Sequence, residues 1–156
     1  MIQRIQTIYL VAASALSVVC MSRCIGYFSL PDGELSVKLY SLFYVLIEDG
    51  ERVGSDFRFW ALFAILLIVA TITFLNIFLY RQRALQMRIC SFSMILLACW
   101  YAAYAAFVWV IKTELASSFR PGVVASLPLV AIILLYLAFR GIMKDEKLVR
   151  SLDRLR

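Results

Sequence analysis

Apolar and polar positions divide the chain into four long apolar runs, residues 5–21, 59–80, 89–111 and 123–139, with basic or turn-forming residues at most of their ends. Arg4 enters the first and Ser22-Arg23 leave it; Arg58 and Arg81 bracket the second; Arg88 and Lys112 bracket the third; Pro121-Gly122 precede the fourth and Arg140 closes it. Crossing about 30 Å of hydrocarbon takes about 17–25 helical residues, so each run predicts a transmembrane helix. The first is the shortest, and its helix is expected to continue past Arg23, whose long side chain can snorkel outward. With the fourth carried one turn past Arg140, the predicted spans are 5–25, 59–80, 89–111 and 123–143. Bulky Val19 before Cys20 makes a poor lipoprotein cleavage site, and no A-x-A-like site follows the run, so the first run reads as a retained helix.

Residues 26–58 form the one sizeable segment outside these spans. Pro31-Asp32-Gly33 is a turn signal, and Glu48-Asp49-Gly50 with Gly54 is another. Between them Leu35, Val37 and Leu39 alternate with Ser36, Lys38 and Tyr40 at strand period, and residues 42–47 form a β-favouring run. A strand pair or small hairpin lying on the helix ends is expected, with an amphipathic interfacial helix over 37–47 as the competing reading.

Composition agrees with a membrane solvent. Hydrophobic residues make up 63% of the chain and mean hydropathy is +0.88, an excess that a single soluble core of this size could not hide. Residues 1–156 are therefore read as one membrane domain. Orientation follows from the basic residues. With the N-terminus inside, the inner segments hold Arg4, Arg81, Arg83, Arg88, Arg140, Lys144, Lys147, Arg150, Arg154 and Arg156, against Arg23, Lys38, Arg52, Arg58, Lys112 and Arg120 outside. Ten against six obeys the positive-inside rule, and the tight 81–88 loop carries the strongest local bias. Both ends are expected in the cytoplasm, and 26–58 outside it. The resulting fold class is an all-α integral membrane protein. It is a four-transmembrane-helix bundle with a small extracytoplasmic strand or hairpin segment between helices 1 and 2 and a cytoplasmic extension of helix 4.

Candidate chemistry is sparse. The chain has no histidine, which removes the usual neutral-pH base and the commonest metal ligand. Ionisable residues are absent from the helix centres, so a transporter or channel has little support. Asn76, with Thr71 and Thr73, suits helix–helix hydrogen bonding. Cys20, Cys24, Cys90 and Cys99 form no C-x-x-C pair and read as small buried hydrophobes; Cys20 and Cys24, one helical turn apart beside Arg23, leave a thiol redox role as a minor alternative. No catalytic residue, metal site or cofactor is predicted, and the chain is expected not to be an enzyme. Ala98, Ala102 and Ala106, at spacings of four, suit close helix packing, within the bundle or against a partner's helix. Phe59, Trp60, Tyr80 and Trp109 sit where interfacial belts should be. Trp100, Tyr101 and Tyr104 lie nearer mid-membrane, where they can line a pocket or bond to carbonyls of neighbouring helices.

Residues 140–156 carry the most informative pattern. On a helix, Arg140, Lys144, Lys147, Arg150 and Arg154 make one basic stripe, with Leu148, Leu152 and Leu155 beside it and Asp145, Glu146 and Asp153 elsewhere. A bend at Gly141 would lay the stripe on anionic lipid. A straight helix would carry Arg154 about 15 Å beyond Lys144, where an acidic protein face or ribosomal RNA phosphates become the partners.

Three segments carry a resemblance. The opening Met1-Ile2-Gln3-Arg4-Ile5-Gln6-Thr7-Ile8-Tyr9-Leu10, the loop Leu85-Gln86-Met87-Arg88-Ile89-Cys90 and the ending from Lys144 to Arg156 resemble an uncharacterised Bacteroidota family of four-helix membrane proteins, domain of unknown function 4293. The resemblance covers the whole chain. It implies a multi-pass protein of the bacterial inner membrane and assigns no activity, and in the topology above it sets all three motifs at the cytoplasmic side. The expected function is a non-enzymatic accessory or scaffold subunit of a larger inner-membrane assembly, with protein-translocation machinery as one candidate host. It would dock through a basic, partner- or lipid-binding surface of Arg4, Arg81, Arg83, Arg88, Arg140, Lys144, Lys147, Arg150 and Arg154. The alternative is a small-molecule or lipid-handling protein with its pocket at Trp100, Tyr101 and Tyr104.

Overall fold

The computed structural model describes residues 2–29, 35–48, 51–57, 59–79, 82–115 and 118–153. In chain order these form α1 (Ile2–Ser22), β1 (Cys24–Ser29), β2 (Leu35–Tyr40), β3 (Tyr44–Glu48), β4 (Glu51–Asp56), α2 (Trp60–Phe78), α3 (Arg83–Leu115), β5 (Ser118–Pro121), a single 3-10 turn (Val123–Ser126) and α4 (Leu127–Asp153). All four helices are long and apolar enough to cross a membrane. Their order in the bundle is a ring: α1 packs on α2 and α4, and α3 packs on the same two. Leu10, Leu62, Leu66, Leu97, Trp100, Leu135 and Ile142 are among the fully buried side chains at its centre.

All five strands belong to one antiparallel sheet with order β4-β3-β2-β1-β5. β1 follows α1 directly, β4 leads into α2, and β5 lies between α3 and α4. The sheet therefore caps one end of the bundle. The start of α1, the α2–α3 turn and the end of α4 share the other. An aromatic layer joins sheet to bundle: Phe119, which lies 4.8 Å from Phe28 within the sheet, packs on Tyr104 of α3 with ring centres 6.2 Å apart, Tyr44 packs on Phe59 at 5.8 Å, and Phe59 on Phe107 at 4.9 Å.

The strand alternation over 35–40 is as expected, with Val37 and Leu39 buried and Ser36 and Lys38 exposed. Other expectations change. The chain is mostly helical with a small antiparallel sheet, as expected, but the predicted hairpin is a four-strand meander completed by β5 from between α3 and α4. That pairing overrides the competing helix over 37–47. α1 stops at Ser22 instead of running past Arg23 to residue 25, because β1 pairs on both edges, Phe28 with Val37 of β2 and with Phe119 of β5. Its peptide groups are satisfied by two ladders, not by a further helical turn. Cys20 and Cys24 are consequently not a turn apart on one helix, since Cys24 begins β1. Gly54 lies within β4, beside an irregularity in its pairing with β3, instead of in a turn. Pro31-Asp32-Gly33 and Asp49-Gly50 fall outside the described residues. Trp60 and Trp109 are exposed, as belt residues should be, but Phe59 is only 1% exposed and belongs to the aromatic layer. Tyr80 falls outside the described residues.

Pro121 is accommodated because β5 is an edge strand, where a missing N–H costs no ladder bond. Next to it, the Gly122 N–H donates to the Ile25 carbonyl at 3.0 Å. A Cβ on Gly122 would lie 3.0 Å from that same carbonyl carbon and oxygen, so glycine is what permits the approach.

Candidate functional site

The end of the bundle away from the sheet collects polar groups from all four helices. α4 is unbroken through Gly141 and continues to Asp153, so the stripe lies on a continuation of α4 and not on a separate segment bent at that glycine. Its 27 residues make about 40 Å of helix, some 10 Å more than the hydrocarbon thickness. Ile142 is still buried, and just past it the helix is tied to its neighbours. The Gln6 side-chain amide, buried on α1, donates to an Asp145 carboxylate oxygen at 2.7 Å. Arg83, in the first turn of α3, donates to the Asp145 carbonyl at 3.4 Å. A Cβ on Gly141 would lie 3.1 Å from Cγ of Gln6, so the small residue lets α1 and α4 close at this level.

Deeper, Asn76 of α2 donates to the Gln86 carbonyl at 3.4 Å and to Cys90 Sγ at 3.3 Å. Gln86 returns a bond from its amide to the Asn76 carbonyl at 3.3 Å. This is the helix–helix role expected of Asn76; Thr71 instead bonds to Leu67 of its own helix. Thr73 Oγ1, Asn76 Oδ1, Ser93 Oγ and Trp100 Nε1 are buried without a hydrogen-bond partner among the described residues. Gln6, Gln86 and Asp145 belong to the three segments singled out in the sequence, and the structure brings those segments to one end of the bundle. The long-range pairing of Gln6 with Asp145 was missed; its signals were a lone amide inside an apolar run and an acid set off from the basic stripe.

The described basic residues are divided between two grooves and the brace. Arg140, Lys144 and Lys147 are exposed and line one shallow groove of about 440 Å³ together with Leu137, Gly141 and Met143. Arg88 lines a different groove, with Met87, Phe92, Ile95 and Phe139. Arg83 is turned into the brace on Asp145. Arg4 and Arg150 lie on α1 and α4 with side chains outside the description, and Arg81 and Arg154 are outside the described residues.

Trp100, Tyr101 and Tyr104 form a closed aromatic clasp. Trp100 is fully buried and stacks on Tyr104, ring centres 5.2 Å apart and planes 7° from parallel. The Tyr104 hydroxyl donates to the Ile25 carbonyl at 3.0 Å, the same oxygen that accepts from Gly122. The Tyr101 hydroxyl donates to the Ala125 carbonyl at 2.8 Å and accepts from the Leu129 N–H at 2.9 Å, which ties down the start of α4. Of the two roles open to these side chains, the phenols take the bonds to main-chain groups of other elements.

Ala98, Ala102 and Ala106 are exposed and point away from the other three helices. They do not pack the bundle; their stripe is a free face of α3. Cys20 and Cys90 are buried, Cys24 is half-buried in β1 and Cys99 is exposed on α3, so only two of the four are buried hydrophobes; all four thiols are free. Among the described residues no cluster of three or more metal-ligating side chains occurs.

The brace carries a quantitative expectation. Asp145→Ala leaves the buried Gln6 amide without its acceptor and should cost about 1–3 kcal/mol. Adding Gln6→Leu removes the stranded donor and should restore part of that loss. Thermal unfolding in mild detergent reads both; a double variant no more stable than Asp145→Ala would show that the brace is not coupled as described.

A protein family described as a domain of unknown function (DUF4293) matches residues 2–155 of the chain. No curated protein matches it.

Proposed function

The chain belongs to the DUF4293 family, and on that footing we propose that it is a non-enzymatic accessory or scaffold subunit of a larger bacterial inner-membrane assembly. Both chain ends face the cytoplasm in this reading, and the sheet faces the other side. The start of α1, the α2–α3 turn and the end of α4 share one end of the bundle, and the sequence at and beyond that end carries the excess of arginine and lysine.

One observation carries the proposal. α4 leaves the bundle as an unbroken helix to Asp153, braced at Asp145 from two other helices, so its last turns form a rigid post and not a tether. A solvated tail needs no such bracing. A post carrying Arg150, with Arg154 and Arg156 following in the sequence, suits docking to an acidic protein face, because a preformed helix spends little ordering entropy on binding. The outward small-residue face of α3 fits the same role within the membrane, where small side chains let a partner helix approach closely.

The test is a pull-down from native membranes in mild detergent, comparing the full chain with one ending after Leu148. That truncation keeps Asp145, the brace and the Arg140–Lys144–Lys147 groove. A defined set of membrane proteins recovered with the full chain and lost with the truncated one is expected. Ribosomal RNA lost in the same way would replace the protein partner with a nucleic acid. Identical recovery by both chains would remove the post from any docking role.

A further inference from the structure

On α4, the side away from the core has its own order. The buried residues Ala131, Leu135, Ala138 and Ile142 mark the face turned to the bundle. Opposite them, at steps of three and four, stand Leu129, Ile133, Tyr136 and Leu137, all exposed and apolar or aromatic, followed on the same line by exposed Arg140, Lys144 and Lys147. The change from apolar to cationic takes less than one helical turn. Among the described residues this face is exposed, while α4 packs on α1 and α3.

We propose that this face of α4 is a binding site for one anionic phospholipid, its acyl chain along Ile133 and Leu137 and its headgroup phosphate held in the groove of Arg140, Lys144 and Lys147. Three observations commit the site to that occupant. First, the groove is amphiphilic along one axis, with Leu137 and Met143 lining it beside the three cations; a free anion would need only the cations. Second, the spacing fits the headgroup layer. Arg140 and Lys147 are about 10 Å apart along the axis, and the polar layer is about 5–8 Å deep on each side of the hydrocarbon. A phosphate at that depth lies between them, within reach of Lys144. Third, the charges are uncommitted. Of the two neighbouring acids, Asp145 is drawn to Gln6 and Glu146 is half-buried, and among the described residues Arg140, Lys144 and Lys147 make no ion pair. Arg140 lies instead 5.9 Å from the ring centre of Tyr136, which stations the guanidinium at the boundary where the ring is apolar on one side and wet on the other.

The site depends on the membrane placement of α4 and is separate from the docking post beyond Leu148, so either reading can fail without the other. Native mass spectrometry of the full chain in detergent, with added phosphatidylglycerol or phosphatidylcholine, tests it. One saturable phosphatidylglycerol per chain is expected, with little retained phosphatidylcholine. Replacing the three cations together (R140Q, K144Q and K147Q) should weaken phosphatidylglycerol on the order of 100-fold, given the attraction of each cation near an anionic surface. The pair K144R and K147R, which keeps the charge, should bind as the unaltered chain does, and so should R88Q, whose groove lies elsewhere. The exposed positions allow the fold to be checked independently by thermal unfolding. Should the triple variant fail to fold, the lipid selectivity of the unaltered chain and the K144Q variant alone decide the matter. Equal retention of both lipids would reduce the site to ordinary annular contact. Displacement of phosphatidylglycerol by inorganic phosphate at equal concentration would make it an anion site without a lipid. Either result overturns the proposal.

Discussion

Trp100→Ala is expected to be the most damaging substitution in the bundle, at about 3–5 kcal/mol. Trp100 is among the largest fully buried side chains, packed flat on Tyr104 and edge-on to Tyr101 at 5.1 Å. Removing the indole empties volume next to the two phenols that fix β1 and the start of α4. The damage should therefore spread beyond α3 to the sheet, and protease sensitivity of β2–β4 should rise with the fall in melting temperature. Trp100→Phe should cost much less, because the indole N–H has no partner to lose and an aromatic ring keeps most of the stacking. Equal losses for the two variants would mean that the indole nitrogen is engaged after all.

Gly122→Val comes second, at about 1–3 kcal/mol for overpacking and at the upper end of that range here. The obstacle is main chain, not a side chain that can swing away: the Ile25 carbonyl lies 3.0 Å from the added Cβ and is held by Tyr104 as well as by Gly122. Moving it breaks both bonds and loosens the pairing of Gly26 with Pro121. Limited proteolysis should show the sheet opening while the four helices stay protected. A variant as resistant as the unaltered chain would mean that β5 can shift without cost.

The four helices were legible because a membrane span is a local property: length and apolarity suffice. The sheet was legible only where its alternation is local, over 35–40. β1 was hidden because apolar residues resume at Cys24 directly after Ser22-Arg23, and an arginine there can be read as snorkelling from a longer helix. β5 was hidden because Ser118–Pro121 buries little of its own, and its strand identity comes from β1, far back in the chain. The basic row on α4 could be read from helical periodicity, whereas its division from Arg88 and Arg83 depends on which helices lie beside one another. The alanines of α3 show the same limit. A row of small residues looks alike whether it faces a neighbour or faces out, and only the packed bundle assigns it a side.

The pairing of β1 with β5 also orders the biogenesis of the protein. The meander β1–β4 precedes α2 in the chain, but without β5 its β1 edge is open, an exposed template for any passing strand. The segment that closes it follows α3, so α2 and α3 are both made before the sheet can seal. Sealing of the sheet thus requires α3 to bring β5 back to β1, and a chain ending before β5 would display an unpaired strand edge.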